Sequence, residues 1–136
     1  MHEMPLDTPP IFIIDDEEPV RSGLARLLRG IGMHSITFES AESFLETYEP
    51  GQEGCLLVDI RMPGMSGFDL VEELGRRKIP LSAIVMTGHA DARAMERLGS
   101  LPVVGCLQKP FRVAELKEML GRWWSRLDRG NPPWTL

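Results

Sequence analysis

Cys55-Leu-Leu-Val-Asp59 is a short apolar run that ends in a carboxylate. Ile11-Phe-Ile-Ile-Asp-Asp16 repeats this pattern near the amino terminus. A short apolar run with branched side chains and polar boundaries predicts a buried strand. The loop Met62-Pro-Gly-Met-Ser-Gly67 follows, and Phe68–Arg77 then places apolar residues at helical spacing. The order strand, loop, helix is typical of α/β folds with a parallel sheet.

The rest of the chain alternates strands and helices in the same way. Apolar runs predict three further strands, and helical spacing predicts four further helices. The strands are His34–Phe38, Leu81–Met86 and Val103–Leu107, and the helices are Pro19–Ile31, Ser40–Tyr48, Ala90–Leu98 and Phe111–Leu127. Five strands alternating with five helices predict a doubly wound parallel sheet with helices on both faces.

Length and composition limit the classes of protein. A chain of 136 residues corresponds to one domain, which we predict over residues 10–127, with a disordered or extended arm at 1–9 and a tail at 128–136. The net charge of −5 argues against overall attraction to nucleic acid or to a membrane surface. No apolar stretch approaches the roughly 20 residues that span a bilayer. Both cysteines lie in apolar runs, so we expect a cytoplasmic protein with reduced thiols.

The carboxyl ends of the predicted strands carry the residues with distinctive chemistry, and such ends meet at one edge of a doubly wound sheet. The set contains three carboxylates, one hydroxyl and one ammonium: Asp15, Asp16, Asp59, Thr87 and Lys109. Three clustered carboxylates repel one another unless a cation compensates them. Mg²⁺ prefers oxygen ligands and commonly accompanies a phosphate. One Mg²⁺ and the lysine would neutralise the carboxylates, and a carboxylate can form an aspartyl phosphate.

Four motifs in combination resemble a bacterial two-component response-regulator receiver domain. They are Asp15-Asp16, Leu57-Val-Asp-Ile-Arg-Met-Pro-Gly-Met-Ser-Gly67, Thr87-Gly88 and Lys109-Pro110-Phe111. The resemblance covers about residues 10–127. The stretch Thr87-Gly-His-Ala-Asp91 is further similar to receivers of the nitrogen-fixation regulator type. The resemblance implies a flavodoxin-like fold with strand order 2-1-3-4-5.

The resemblance also implies a role for each acidic residue. Asp59 would be the phosphoacceptor, and the phosphoryl group would come from a phosphohistidine on a sensor histidine kinase or a histidine phosphotransfer protein. Asp16 would bind Mg²⁺ directly and Asp15 largely through a water molecule. Asp59 and the backbone carbonyl of Arg61 would complete the protein ligands.

The remaining site residues would act on the phosphoryl group. By the same resemblance, Thr87 would hydrogen-bond a phosphoryl oxygen and Lys109 would pair with the group. The Lys109–Pro110 bond would be cis, as in other receivers. Arg61 and His89 occupy positions that tune dephosphorylation in receivers.

Two features depart from the receiver pattern. Cys106 stands where receivers usually place an aromatic residue that moves inward with the threonine, so this switch cannot run as usual. Leu98–Gly105 replaces the usual turn before the last strand, and Gly99 and Pro102 should end the preceding helix early. Many receivers form dimers or bind partners through this face.

Trp123-Trp124 forms a third notable feature. Adjacent positions of a helix point about 100° apart, so we expect only one of these rings to face the core. The other would cover the helix edge or serve as an exposed aromatic anchor for a partner.

We predict a receiver that is phosphorylated on Asp59 in a phosphorelay. It would be a phosphoacceptor with self-catalysed phosphorylation and dephosphorylation rather than an enzyme, with a second copy or a downstream protein as its output partner and no direct binding to nucleic acid. It would be a single-domain receiver or the receiver half of a truncated transcription regulator. Cys106 favours the alternative of a phosphorylation-independent interaction module. A haloacid-dehalogenase-type phosphatase would need a second aspartate where this chain has Arg61.

Overall fold

The structure is a computed structural model and describes residues 8–88, 96–97 and 99–135. The strands are β1 (Ile11–Ile14), β2 (Ser35–Phe38), β3 (Cys55–Asp59), β4 (Ser82–Thr87) and β5 (Gly105–Gln108). The helices with complete bounds are α1 (Glu18–Gly30), α2 (Ala41–Thr47), α3 (Gly67–Arg76) and α4 (Val113–Leu127). His89 and most of the predicted helix Ala90–Leu98 lie outside the described residues.

The five strands form one parallel sheet in the order β2-β1-β3-β4-β5. This confirms the predicted doubly wound architecture. The register pairs Ile14 with Val58 and Asp59 with Met86. Because the strands are parallel, the residues that follow β1 and β3 emerge at the same edge of the sheet.

The core lies on both faces of the sheet, since successive strand residues point to opposite sides. In β1, Ile11 and Ile13 pack towards α1 and α4, whereas Phe12 and Ile14 pack towards α2 and α3. All four side chains are at most 1% exposed. A strand buried on both faces has no polar alternation, which explains why β1 and β3 are continuous apolar runs.

Local sequence signals fix several helix ends. Ser40 caps α2, because its Oγ accepts a hydrogen bond from the Ser43 backbone N–H at 3.0 Å. Pro19 lies in the first turn of α1, where its missing N–H leaves no helical hydrogen bond unmade. The turn after α3 places Lys78 at a φ of +57°, in the left-handed region.

Two predicted boundaries were wrong, each by two residues. β5 begins at Gly105, not at Val103, because the Val103 N–H bonds locally to the Leu101 carbonyl in a turn. The last helix begins at Val113, not at Phe111, because the Arg112 backbone N–H is satisfied by the Glu115 carboxylate at 3.0 Å. This bond makes Arg112 the residue that precedes the helix.

The prediction for Trp123-Trp124 was also wrong, because both side chains are buried, at 2% and 6% exposure. The residues after α4 fold back and cover the second ring. Trp134 packs against Trp124 with ring centroids 6.2 Å apart, and the Trp124 indole N–H donates to the Gly130 carbonyl at 3.1 Å. We call residues 128–135 the C-terminal strap.

The strap also contacts the loop after α1. A Cβ atom built on Gly32 would lie 3.0 Å from Pro133 Cβ, which shows how closely the strap approaches this loop. Arg129 pairs with Glu53 at 2.7 Å. Among the described residues, no helix is long and apolar enough to cross a membrane.

Candidate functional site

Two buried aspartates lie side by side at the carboxyl edge of the sheet. Asp15 directly follows β1 and is fully buried, and Asp59 ends β3 and is 7% exposed. Backbone amides orient one oxygen of each carboxylate. The Glu17 N–H donates to Asp15 Oδ1 at 2.9 Å, and the Arg61 N–H donates to Asp59 Oδ1 at 3.1 Å. The second oxygen of each carboxylate is thus directed to another partner.

That partner is Lys109, which joins the two aspartates. Its Nζ donates to Asp15 Oδ2 at 2.9 Å and to Asp59 Oδ2 at 3.1 Å. The Lys109 backbone N–H donates to the Thr87 carbonyl at 2.7 Å, and the Lys109–Pro110 bond is cis. One ammonium therefore compensates two carboxylates, and the three side chains together carry a net negative charge.

The pKa values of the group reflect this shared compensation. Burial raises the pKa of Asp59, and the nearby Asp15 charge raises it further, although the Arg61 N–H and Lys109 oppose the shift. Burial works to lower the pKa of Lys109, but its hydrogen bonds to Asp15 and Asp59 outweigh burial and raise it. The lysine therefore stays charged, whereas the Asp59 carboxylate is a poorly stabilised anion.

An acidic cluster lies next to this group. Oxygen atoms of Asp15, Asp16 and Glu17 lie within 4.8 Å of one another, and Asp16 and Glu17 are exposed. Glu17 was not among the predicted site residues, although it continues the run Asp15-Asp16 in the sequence. A set of carboxylate oxygens that opens to solvent fits the ligand preference of Mg²⁺.

Thr87 and Arg61 lie around the same pair of aspartates. Thr87 ends β4 and is 4% exposed. Arg61 follows Asp59 closely and has an exposed side chain. His89, the second residue predicted to tune dephosphorylation, lies outside the described residues. The structure thus brings Asp15, Asp16, Asp59, Thr87 and Lys109 to one edge, as the strand ends predicted.

Cys106 lies on β5, next to Val85 of β4. It is half-buried and packs on the α2–α3 side of the sheet, and burial raises the pKa of its thiol. Burial also raises the pKa of the Cys55 thiol, which is fully buried. Both cysteines are therefore expected to remain as neutral thiols. A small, half-buried side chain therefore occupies the β5 position three residues before Lys109.

The loop between β3 and α3 is held close to Asp59. The Gly67 N–H donates to the Ile60 carbonyl at 3.0 Å. A Cβ atom built on Gly67 would lie 2.5 Å from the Asp59 carbonyl oxygen. Only glycine fits at this position without displacing backbone, so α3 begins in direct contact with the strand end that carries Asp59.

An apolar groove adjoins the lysine. It has a volume of about 460 Å³, and its wall is formed by α1 and by the segment that follows β5. The lining residues are Pro19, Val20, Gly23, Leu24, Leu27, Met86, Lys109, Pro110 and Phe111. The groove therefore places an apolar surface of one helix beside the charged group.

Comparisons with known proteins show the family to which this chain is similar. The response regulator receiver domain family matches residues 11–121. Transcriptional regulatory protein FixJ of Azorhizobium caulinodans is 38% identical over 117 residues, which cover 83% of this chain and 56% of FixJ. Nodulation protein W of Bradyrhizobium diazoefficiens is 37% identical over 106 residues, covering 78% of this chain and 47% of that protein. The chain thus spans about half the length of these relatives.

A solved structure shows the same fold. The crystal structure of FixJ-N superposes with a TM-score of 0.79 at 37% identity, and the match covers 86% of this chain and 94% of that one. The match therefore extends over almost the whole of that chain.

Proposed function

This chain belongs to the response regulator receiver domain family of two-component signalling, and from that premise we propose that Asp59 is its phosphoacceptor. The observation that carries the proposal is the single ammonium of Lys109 between two buried carboxylates. Burying these charges costs free energy of desolvation, and buried groups with perturbed pKa values cluster at functional sites. An incoming phosphoryl group would give Lys109 a further anion to bind.

The residues around Asp59 prepare it for attack. A carboxylate oxygen would form a bond to the phosphorus of a phosphohistidine while the phosphorus–nitrogen bond breaks, and the released imidazole would take up a proton. The Arg61 N–H holds Oδ1, and Lys109 holds Oδ2, so the carboxylate is oriented before the donor arrives. Thr87, buried beside Lys109, would donate its hydroxyl to a phosphoryl oxygen.

We assign the acidic cluster to Mg²⁺. Asp16 would bind the ion directly, Asp15 largely through water, and Asp59 and the Arg61 carbonyl would complete the protein ligands. Glu17 adds an oxygen close to these atoms. A bound Mg²⁺ supplies positive charge that neutralises the transferring phosphoryl group. The chain would act as a stoichiometric phosphoacceptor that promotes its own phosphorylation and dephosphorylation, and not as an enzyme with turnover.

The partners follow from the family. The phosphodonor would be a sensor histidine kinase or a histidine phosphotransfer protein in the cytoplasm. The apolar groove between α1 and Phe111 suits a helix that carries the donor histidine, since it lies beside Lys109. FixJ, one of the matched relatives, is named a transcriptional regulatory protein, so an output in gene regulation through a further domain or partner protein is part of the proposal.

A second candidate is an interaction module that works without phosphorylation. The observation that favours it is Cys106, whose half-buried thiol cannot act as an aromatic switch. Under this alternative the fold would bind partners in one fixed state. The intact set of Asp15, Asp59 and Lys109 favours the phosphoacceptor.

The test is the intact mass of the protein after incubation with acetyl phosphate. We expect a gain of one phosphoryl group in the presence of Mg²⁺ and none with a chelator. Asp59→Asn should abolish the gain, whereas Asp128→Asn, a change at an exposed residue after α4, should leave it intact. No gain in the unmodified protein, under conditions that label another receiver, would favour the interaction module.

A further inference from the structure

Arg97 joins the chain beyond Thr87 to helix α3. Its guanidinium donates to Glu72 Oε1 at 2.6 Å from Nη2 and at 3.1 Å from Nε, and Nη2 reaches Asp69 Oδ1 at 3.3 Å. The same guanidinium lies 4.8 Å from the centre of the Phe68 ring. One planar cation thus contacts three of the first six residues of α3, two through charge and one through an aromatic face.

Asp69, one of the two carboxylates that bind Arg97, also caps the start of α3. Asp69 Oδ2 accepts the Ser66 N–H at 3.0 Å, and Ser66 Oγ accepts the Asp69 N–H at 3.1 Å. This reciprocal pair is a capping box, which fixes the first turn of the helix. The hydrogen bond from the Ser66 backbone N–H lowers the pKa of Asp69 most, and the hydrogen bond and charge of Arg97 lower it further, so the carboxylate remains ionised.

The first turn of α3 in turn touches the phosphoacceptor. Gly67 directly follows Ser66 and lies against the Asp59 carbonyl. The loop between them contains the Arg61 N–H that orients Asp59 Oδ1. Contacts therefore run from Arg97 through Asp69 and Ser66 to the loop that holds the reacting carboxylate.

We propose that Arg97 is a positioning residue for phosphorylation of Asp59, acting through the capping box of α3. The proposal rests on the phosphoacceptor function proposed above. Loss of the Arg97 charge would leave Asp69 and Glu72 uncompensated, loosen the first turn of α3 and disorder the loop that orients Asp59. Reactions that depend on preorganised geometry slow when a distant contact loosens.

The size of the effect follows from exposure. The side chains of Arg97, Asp69 and Glu72 are 42%, 48% and 50% exposed, so each ion pair alone is weak and is screened by salt. A network of two pairs and one cation–π contact is stronger than either pair. We expect Arg97→Gln to slow the initial rate of phosphorylation by acetyl phosphate by roughly threefold to fivefold at low salt.

The experiment measures this initial rate in the full chain, with Mg²⁺, at low and at high salt. Arg122→Gln is the matched control, because Arg122 makes an exposed ion pair with Glu118 at 3.0 Å on α4, away from the site. We expect the control to react at the normal rate. Arg97→Lys should recover part of the rate, because a lysine retains the charge but loses the planar contact with Phe68 and the second hydrogen bond. High salt should slow the unmodified protein more than Arg97→Gln, so the ratio of the two rates should fall towards one.

The outcomes separate this proposal from the one on which it rests. If Asp59 of the unmodified protein is labelled and Arg97→Gln reacts as fast as Arg122→Gln, the positioning role is wrong. If Arg97→Gln is slow but neither lysine nor salt changes the rate as expected, the effect is one of packing, which also overturns the role. If the unmodified protein is not labelled at all, the phosphoacceptor proposal itself fails.

Discussion

Two glycines of the same helix should respond in opposite directions to the same substitution. Gly67 and Gly75 both lie in α3. A Cβ atom on Gly67 would lie 2.5 Å from the Asp59 carbonyl oxygen and 3.0 Å from the carbonyl carbon, whereas nothing lies within 4 Å of one on Gly75. Gly67→Ala must therefore displace backbone, and Gly75→Ala adds only a better helix former.

The magnitudes follow from these distances. Carbon atoms in ordinary contact are about 3.5 Å or more apart, so α3 would have to move by several tenths of an ångström or more. Overpacking of this kind costs about 1–3 kcal/mol, and we expect about 2 kcal/mol because the opposing atoms are backbone. Gly75→Ala should stabilise the protein by about 0.4–1 kcal/mol, mainly because alanine restricts the unfolded chain.

The assay is urea unfolding followed by tryptophan fluorescence. With a slope of about 2 kcal/mol per molar, Gly67→Ala should lower the midpoint by about 1 M and Gly75→Ala should raise it by about 0.2–0.5 M. Gly67→Ala should also slow phosphorylation of Asp59, because the displaced atoms belong to that residue. Equal shifts of the two midpoints would refute the close contact between α3 and Asp59.

Three further predictions concern charge and the C-terminal strap. Asp59→Asn should raise the free energy of unfolding near neutral pH, because burial raises the pKa of this carboxyl in the folded state. The gain over the unmodified protein should shrink as pH falls through the folded pKa towards the ordinary value near 3.8. A gain that stays constant with pH would contradict this explanation. Lys109→Met should cost about 2–4 kcal/mol in urea unfolding, because two carboxylates lose their cation. Because the folded-state pKa of Lys109 is raised, this difference should be complete below pH 10.5 and should be lost as pH rises through the folded pKa. Trp134→Ala should lower the unfolding midpoint and increase quenching of tryptophan fluorescence by iodide, because the Trp124 ring loses its cover; unchanged quenching would show that the strap does not seal this ring.

The site was largely predictable from the sequence because strand ends and parallel topology determine which residues meet. Asp15 and Asp59 each end an apolar run, and a parallel sheet brings such ends to one edge. The fold followed from the same alternation of strands and helices. Glu17 was missed because a run of four adjacent acidic residues, Asp15–Glu18, looks like a solvated turn. Only the backbone path brings the Glu17 carboxylate close to those of Asp15 and Asp16.

Other features depend on contacts that are distant in the sequence. The burial of Trp124 could not be predicted from the helix alone, because the strap covers it from residues that read as a tail. The start of β5 was misplaced because Val103 is apolar and branched, yet it is part of a turn. Arg97 carried no sequence signal, since its partners Asp69 and Glu72 lie on an earlier helix.

The most direct test of the central claim is to identify the residue that carries the phosphoryl group. After reaction with acetyl phosphate and Mg²⁺, borohydride reduction would convert an acyl phosphate into the corresponding alcohol, and peptide mass spectrometry would locate it. We predict a single modified residue, Asp59, in the peptide that spans β3 and the loop before α3. Modification of Asp15, Asp16 or any other residue, with Asp59 intact, would contradict the account.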